Sequence, residues 1–251
     1  MKLCRLFLLV SLLLLQGTSR AEVILVPFND DTVPTAYWPK PNSVATLIFL
    51  PGGDGSFGMA LKTNPQPTWL LKTLSQTDTE KSIDLVFMDS RTSLGWKNGD
   101  VGPRFTSGHI ERIKVVVDFY RQKKSQPIFL LGHSNGAISV AEFLNQTTEH
   151  QNSLGGVIFS GSRNETHVKS PLNIPVMVLH HKDDPNSWTR PANAQALFTA
   201  LKAKNSASTE MALVQGGFDE GNPSASGRHM YAGSVDQAGH LVSDFILSHL
   251  K

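Results

Sequence analysis

From Glu22 onward, apolar runs alternate with stretches in which apolar residues recur every three or four positions. The first kind reads as strands buried on both faces, the second as helices with one apolar stripe. Val23-Ile24-Leu25-Val26-Pro27 predicts an early strand, and the polar, proline-bearing segment after it, Asn29 to Asp31 and Pro34 to Pro41, predicts a loop. Val44 to Leu50 predicts a buried strand that ends in Pro51-Gly52-Gly53-Asp54-Gly55. A helix over Gln66 to Gln76 carries Trp69, Leu70, Leu71 and Leu74, and a strand follows at Ile83 to Met88. Ile110, Ile113, Val116, Val117 and Tyr120 predict a helix from Ser107 to about Lys123. Then come a strand at Ile128 to Leu131, a helix over Ala137 to Leu144, strands at Gly156 to Ser160 and Pro175 to Leu179, and a helix over Ala192 to Ala203. A strand at Glu210 to Val214 precedes a last helix reaching Leu250, with Val235, Ala238, Val242, Phe245 and Ile246 on its buried face. Strands alternating with helices in this way predict an α/β fold: a mostly parallel sheet of about seven or eight strands with helices on both faces.

The first 21 residues differ in kind. Lys2 and Arg5 precede an apolar run from Leu6 to Leu15, too short to span a bilayer, which takes about 18 residues or more. Ser19 and Ala21 supply the small residues of a cleavage site. Residues 1–21 therefore read as a secretory signal peptide cut before Glu22, with an uncleaved anchor as the alternative. The mature protein is expected to be secreted or periplasmic, with no stable membrane insertion. No repeat, low-complexity tract or linker divides residues 22–251, which predicts a single domain.

Cleavage removes Cys4, the only cysteine, so the mature chain has no disulfide and depends on a packed core. Lys2, Arg5 and Arg20 leave as well, so 20 basic side chains face 21 acidic ones. With that balance and no Lys/Arg stripe, nucleic acid is not an expected partner.

Gly132-His133-Ser134-Asn135-Gly136 sits between the strand ending at Leu131 and the helix starting near Ala137. Strand, sharp turn and helix is the context in which Gly-x-Ser-x-Gly lifts a serine hydroxyl above a sheet, and the glycines leave room for the close approach of strand and helix. With this motif in this context, the chain resembles the α/β-hydrolase family over nearly all of residues 22–251. The resemblance implies the chain order nucleophile, acid, histidine.

Ser134 would be the nucleophile. The acid falls in His180-His181-Lys182-Asp183-Asp184-Pro185; the family spacing favours Asp184, with Asp183 as the alternative, and either aspartate could instead cap the turn. His180 and His181 beside two aspartates lack a third ligand at a recognisable spacing, so no metal is expected. Pro51-Gly52-Gly53 stands where many relatives have His-Gly-Gly, which implies an oxyanion hole built from the amides of Gly53 and Asn135.

Two histidines compete for the base. Gly239-His240 matches a pair found in many relatives, but the helical spacing around it places His240 inside the last helix. His229 ends the long loop Gly216 to Arg228 and is favoured. Trp96 and Trp188 are candidate pocket residues or ordinary packing, and Asn145-Gln146-Thr147 and Asn164-Glu165-Thr166 are sequons.

The resemblance implies a serine hydrolase that cleaves a small-molecule or accessible polymeric carboxylic ester through an acyl-enzyme, with no cofactor or metal. Peptidases, thioesterases and non-catalytic binding proteins on the same fold are the alternatives. Only Gly161 to Asn173 occupies the stretch where relatives often insert a lid, which predicts a lidless, open site.

Overall fold

The computed structural model describes residues 21–58, 62–76, 81–95, 100–219 and 227–250. The expected signal segment, apart from Ala21, and Trp96 lie outside them. The strands are β1 (Glu22–Phe28), β2 (Asp31–Trp38), β3 (Ser43–Leu50), β4 (Ser82–Met88), β5 (Ile128–His133), β6 (Gly156–Ser160), β7 (Val176–His181) and β8 (Thr209–Val214). The helices are α1 (Trp69–Gln76), α2 (Ser107–Lys124), α3 (Asn135–Gln146), the single turn α4 (Glu149–Asn152), α5 (Pro191–Lys204) and α6 (Val235–Ser248). All eight strands join one sheet in the order β1-β2-β4-β3-β5-β6-β7-β8; β1–β2 and β2–β4 pair antiparallel and the rest parallel.

Strand periodicity assigns the two cores. In β3, Leu47 and Phe49 point into one layer and Ile48 and Leu50 into the other; in β5, Phe129 and Leu131 oppose Ile128 and Leu130 in the same sense. The layer holding Leu47 and Phe49 is closed by α1 and α6, through Leu70, Leu71, Leu74, Val242, Phe245 and Ile246. The other is closed by α2, α3 and α5, through Ile113, Val117, Val140, Phe143 and Leu201. Both faces of the parallel strands are thus removed from water, which is why they read as unbroken apolar runs.

The segment read as a loop from Asn29 through Pro41 is mostly strand β2. Pro34 obscured it, because a proline has no N–H to give a ladder. Here Pro34 lies one residue before the pairing with β4 begins at Thr35 opposite Met88, and its carbonyl still accepts from Asp89 N at 3.0 Å. A tight turn with Asn29 at φ 51° joins β1 to β2. The helix expected from Gln66 starts three residues later, at Trp69.

Chain order and sheet order part company around β3 and β5, since β4 and β2 lie to one side and β6 to β8 to the other. In open α/β sheets such a reversal leaves a crevice beyond the carboxyl ends of the strands. The segments that follow β3, β5, β7 and β8 all leave the sheet at that edge.

Candidate active site

From Ile128 to Ala141 every residue is buried except Ser134. Ser134 follows β5 directly, with φ 54° and ψ −120°, a conformation an L-residue holds only when its surroundings impose it. They do so from both ends: Ser134 N donates to Ser160 O at 2.9 Å, and Ser134 O accepts from Ala137 N at 3.0 Å. The flanking glycines are sterically required. A Cβ at Gly132 would stand 2.3 Å from the Gly136 oxygen, and one at Gly136 would stand 2.0 Å from the Leu50 oxygen.

After β7 the chain turns through Asp183 and Asp184. Asp183 is exposed, whereas Asp184 is buried. Its Oδ2 accepts from His229 Nδ1 at 2.8 Å and from the Thr189 hydroxyl at 2.8 Å, and its Oδ1 accepts from Asn186 N at 2.9 Å. Burial alone would raise this carboxyl, but the hydrogen bond and charge of His229, with the Asn186 and Thr189 donors, outweigh it and hold the group below its ordinary value. Asp184 is therefore a carboxylate at neutral pH. It fixes the tautomer of His229: Nδ1 carries the proton and Nε2 is left with its lone pair.

His229 belongs to a 3₁₀ turn, Gly227–Met230, ahead of α6, and is 4 % exposed. His240 lies on the exposed side of α6, on the helix whose buried face the sequence predicted. The glycine before it serves packing: a Cβ at Gly239 would stand 2.5 Å from Thr73 Cγ2, where α6 crosses α1. That contact accounts for the Gly-His pair without any role for the imidazole.

Ser134 and His229 border one cavity of about 270 Å³, together with Gly52, Gly53, His133 and Met230. Among the described contacts no hydrogen bond joins the Ser134 hydroxyl to His229; such contacts commonly tighten only when substrate is bound. A second cavity of about 270 Å³, bordered by Arg91, Arg104, His109 and Arg112, also touches the loop after β3, at Pro51 and Gly55, and is lined by neither Ser134 nor His229.

The loop after β3 carries Gly52 and Gly53 against the elbow. A Cβ at Gly52 would stand 2.8 Å from Ser134 Cβ, and Gly53 has φ +57°. The Gly53 carbonyl accepts from Asn135 Nδ2 at 2.8 Å and from Arg104 Nη2 at 3.1 Å, so the loop is tied to the residue after Ser134. Arg104 also donates to Pro51 O at 3.2 Å and, through Nη1, to the Ser139 hydroxyl at 2.9 Å. It is 1 % exposed, and burial draws its guanidinium down to about 10, still cationic at neutral pH.

A second serine–histidine contact is present. His133 Nδ1 lies 3.1 Å from the Ser160 hydroxyl, which lies 2.9 Å from the Tyr231 hydroxyl, which donates to Leu179 O at 3.2 Å. Each contact carries one proton when Tyr231 donates to Leu179, Ser160 to Tyr231 and His133 to Ser160. Ser160 is fully buried within β6, and no carboxylate bonds to His133 among the described residues, so this chain of bonds fastens β5 to β6 and the His229 turn. Burial, with His229 and His180 nearby, keeps His133 neutral. Gly161 makes room for the arrangement, since a Cβ there would stand 2.8 Å from His133 Cε1 and 3.2 Å from His229 Cε1.

The other strand-end groups are structural. His180 Nε2 donates to Thr189 O at 2.9 Å, and burial lowers its imidazole to about 4. His181 Nε2 donates to Gly216 O at 2.9 Å while its Nδ1 accepts from Asp183 N. Trp188 does not border the cavity; its ring packs under the Arg163 guanidinium at 4.7 Å. Arg104, Thr189 and Trp69, a cavity wall, went unread in the sequence as site residues.

No protein-family model matches the sequence, and no curated protein sequence matches it. Solved structures do. A dienelactone hydrolase from Anabaena variabilis superposes with a TM-score of 0.63 at 14 % identity, over 93 % of this chain and 100 % of that one. A soluble variant of monoglyceride lipase from Saccharomyces cerevisiae gives 0.62 at 13 %, over 92 % and 95 %. A lidless α/β serine hydrolase from Xanthomonas campestris gives 0.54 at 11 %, over 92 % and 96 %. At these identities the likeness speaks for architecture alone: the chain has the α/β-hydrolase fold.

Proposed function

We propose that the protein is a serine hydrolase that cleaves carboxylic esters through an acyl-enzyme, with Ser134 as nucleophile, His229 as general base and acid, and Asp184 holding the imidazole. The observation that carries the reading is the placement of Ser134: the one residue of its strand, elbow and helix start to reach solvent, on strained backbone, in the cavity bordered by a histidine whose other nitrogen is fixed by a buried carboxylate. Ser134 Oγ attacks the acyl carbonyl while His229 Nε2 takes its proton. The negative charge that develops on the carbonyl oxygen is met by the amides of Gly53 and Asn135. Collapse breaks the bond to the alcohol, which leaves with the proton from His229, and water repeats the sequence to release the acid. Asp184 remains ionised throughout and stabilises the imidazolium.

The N-terminal pattern supports export, with the mature chain starting at Glu22. N-terminal sequencing of protein recovered outside the cytoplasm tests that part; a start at Met1 contradicts it. For the chemistry, Ser134→Ala should lower kcat on a soluble short-chain 4-nitrophenyl ester on the order of 10³-fold or more, with the circular dichroism spectrum unchanged. Near-normal turnover by a folded Ser134→Ala variant overturns the assignment.

A further inference from the structure

The cavity at Ser134 has a wall built from rings in contact. Trp69 and Phe49 lie 5.6 Å apart, Phe49 and Phe87 5.6 Å, and Phe87 and Phe57 5.8 Å edge to face. The wall begins beside the elbow, where Trp69 packs 4.4 Å from the His133 ring, and ends at Phe57, which is half exposed at the mouth. Leu71, Phe49 and Phe87, each buried, close the inner end. Among the described lining residues none is Asp, Glu, Lys or Arg. A charged group entering here would lose hydration and meet no carboxylate, ammonium or guanidinium among the described lining residues.

The wall is also stiff. Trp69 has φ 52°, a genuine outlier for a bulky residue, which persists only where packing over-determines it. Its indole N–H donates to the Met230 carbonyl, and its ring stacks on Tyr231 at 5.9 Å and 6°. Rotating Trp69 away to enlarge the cavity would break both contacts. A cavity of about 270 Å³, at roughly 30 Å³ for each water-sized group, holds about nine non-hydrogen atoms.

We propose that this cavity is the acyl subsite and that it selects uncharged, apolar acyl groups of up to about nine non-hydrogen atoms, aromatic ones included, with Phe49, Phe87 and Leu71 at the closed end setting the limit and Trp69 as the fixed side wall. The proposal rests on the ester-hydrolase reading. The acyl group is assigned to the enclosed end because it stays on Ser134 while the alcohol takes its proton from His229 and departs before water can enter.

The test is kcat/KM on 4-nitrophenyl esters with one leaving group and five acyl groups: acetyl, hexanoyl, benzoyl, decanoyl and monosuccinyl. Each buried methylene should raise kcat/KM about three- to fourfold, giving on the order of a hundredfold from acetyl to hexanoyl. Benzoyl should be comparable with hexanoyl, decanoyl should fall below it, and monosuccinyl should fall below acetyl. Phe87→Ala, and to a smaller extent the milder Phe87→Leu, should move the optimum to longer chains. A flat or ever-rising acyl profile overturns the proposal, as does a preference that appears only when the alcohol of a series of acetates is varied. A fluorophosphonate label run in parallel separates the two levels: normal labelling with the wrong profile removes the subsite alone, whereas no labelling and no hydrolysis remove the hydrolase reading and the subsite with it.

Discussion

Arg104 reaches from the 3₁₀ turn Gly102–Phe105 to the loop after β3 and donates from Nη2 to the carbonyl oxygen of Gly53 at 3.1 Å. Its other contacts, Pro51 O and the Ser139 hydroxyl, make it a clamp between that loop and helix α3, whose first residue is Asn135. The two amides proposed to receive the oxyanion belong to the two parts it joins. Arg104→Met should therefore lower kcat roughly ten- to a hundredfold with little change in KM, because the interaction lost is one felt chiefly in the transition state. Arg104→Lys should recover part of the loss, since an ammonium keeps the charge but cannot span three acceptors. Steady-state kinetics on a soluble ester decide it; a rise in KM at constant kcat would make Arg104 a substrate-binding residue instead.

The choice between histidines is equally open to measurement. His229→Ala should lose on the order of 10³-fold in kcat, and His240→Ala, on the exposed side of α6, should stay within about twofold of the parent. The reverse outcome would mean that the 3₁₀ turn before α6 has no part in the chemistry.

The elbow glycines give a stability prediction. Gly136→Ala pushes a Cβ to 2.0 Å from the Leu50 oxygen and 3.0 Å from the Pro51 oxygen, both backbone atoms that cannot move alone. Overpacking of this kind costs about 3 kcal/mol or more, so the melting temperature should fall by about 10 °C or the protein should fail to fold. Gly216→Ala meets nothing within 4 Å and pays only for φ +84°, about 1 kcal/mol or a few degrees. Equal melting temperatures for the two variants would contradict the close packing of β3 against the elbow.

Acid should destabilise the fold before the carboxylates titrate. Burial lowers His109 to about 3 and His180 to about 4, and pushes His133 well below its ordinary value. Above about pH 6.5 these rings are neutral both folded and unfolded, so they cost nothing. As the pH falls below that value the unfolded chain takes up protons the native state refuses, and stability drops by up to about 1.4 kcal/mol per pH unit for each ring until the folded value is reached. Asp184, held low, adds its own loss only at the acid end, below about pH 4. Chemical denaturation between pH 7 and pH 5 should show this slope, and His109→Gln should lower it by about one proton. An unchanged slope in that variant would mean that His109 is not the neutral, buried group described.

What could be read ahead of the structure depended on where partners lie. The parallel strands announced themselves as apolar runs because both their faces are covered, and β2 did not because Pro34 and the aspartates before it outweigh its buried stretch. The meeting of Ser134, Asp184 and His229 at one sheet edge was legible, since each follows a strand end in a fixed chain order. His240 shows the limit of that reading: its glycine is there for the crossing of α1 and α6, a contact no local pattern encodes. Arg104, Thr189 and Trp69 left no signal for a related reason. Arg104 bonds carbonyls more than fifty positions away, and a backbone acceptor carries no residue identity. Trp69 reads as one more apolar residue of an amphipathic helix until its φ of 52° and its bond to Met230 O are seen.

The central claim is that Ser134, and not Ser160 with its own histidine contact, is the nucleophile. It is tested most directly by treating the folded protein with a fluorophosphonate and locating the adduct by peptide mass spectrometry. The account predicts one adduct per chain, on the peptide carrying Ser134, lost in Ser134→Ala and strongly slowed in His229→Ala. An adduct on Ser160, or none on a protein shown to be folded, would contradict it.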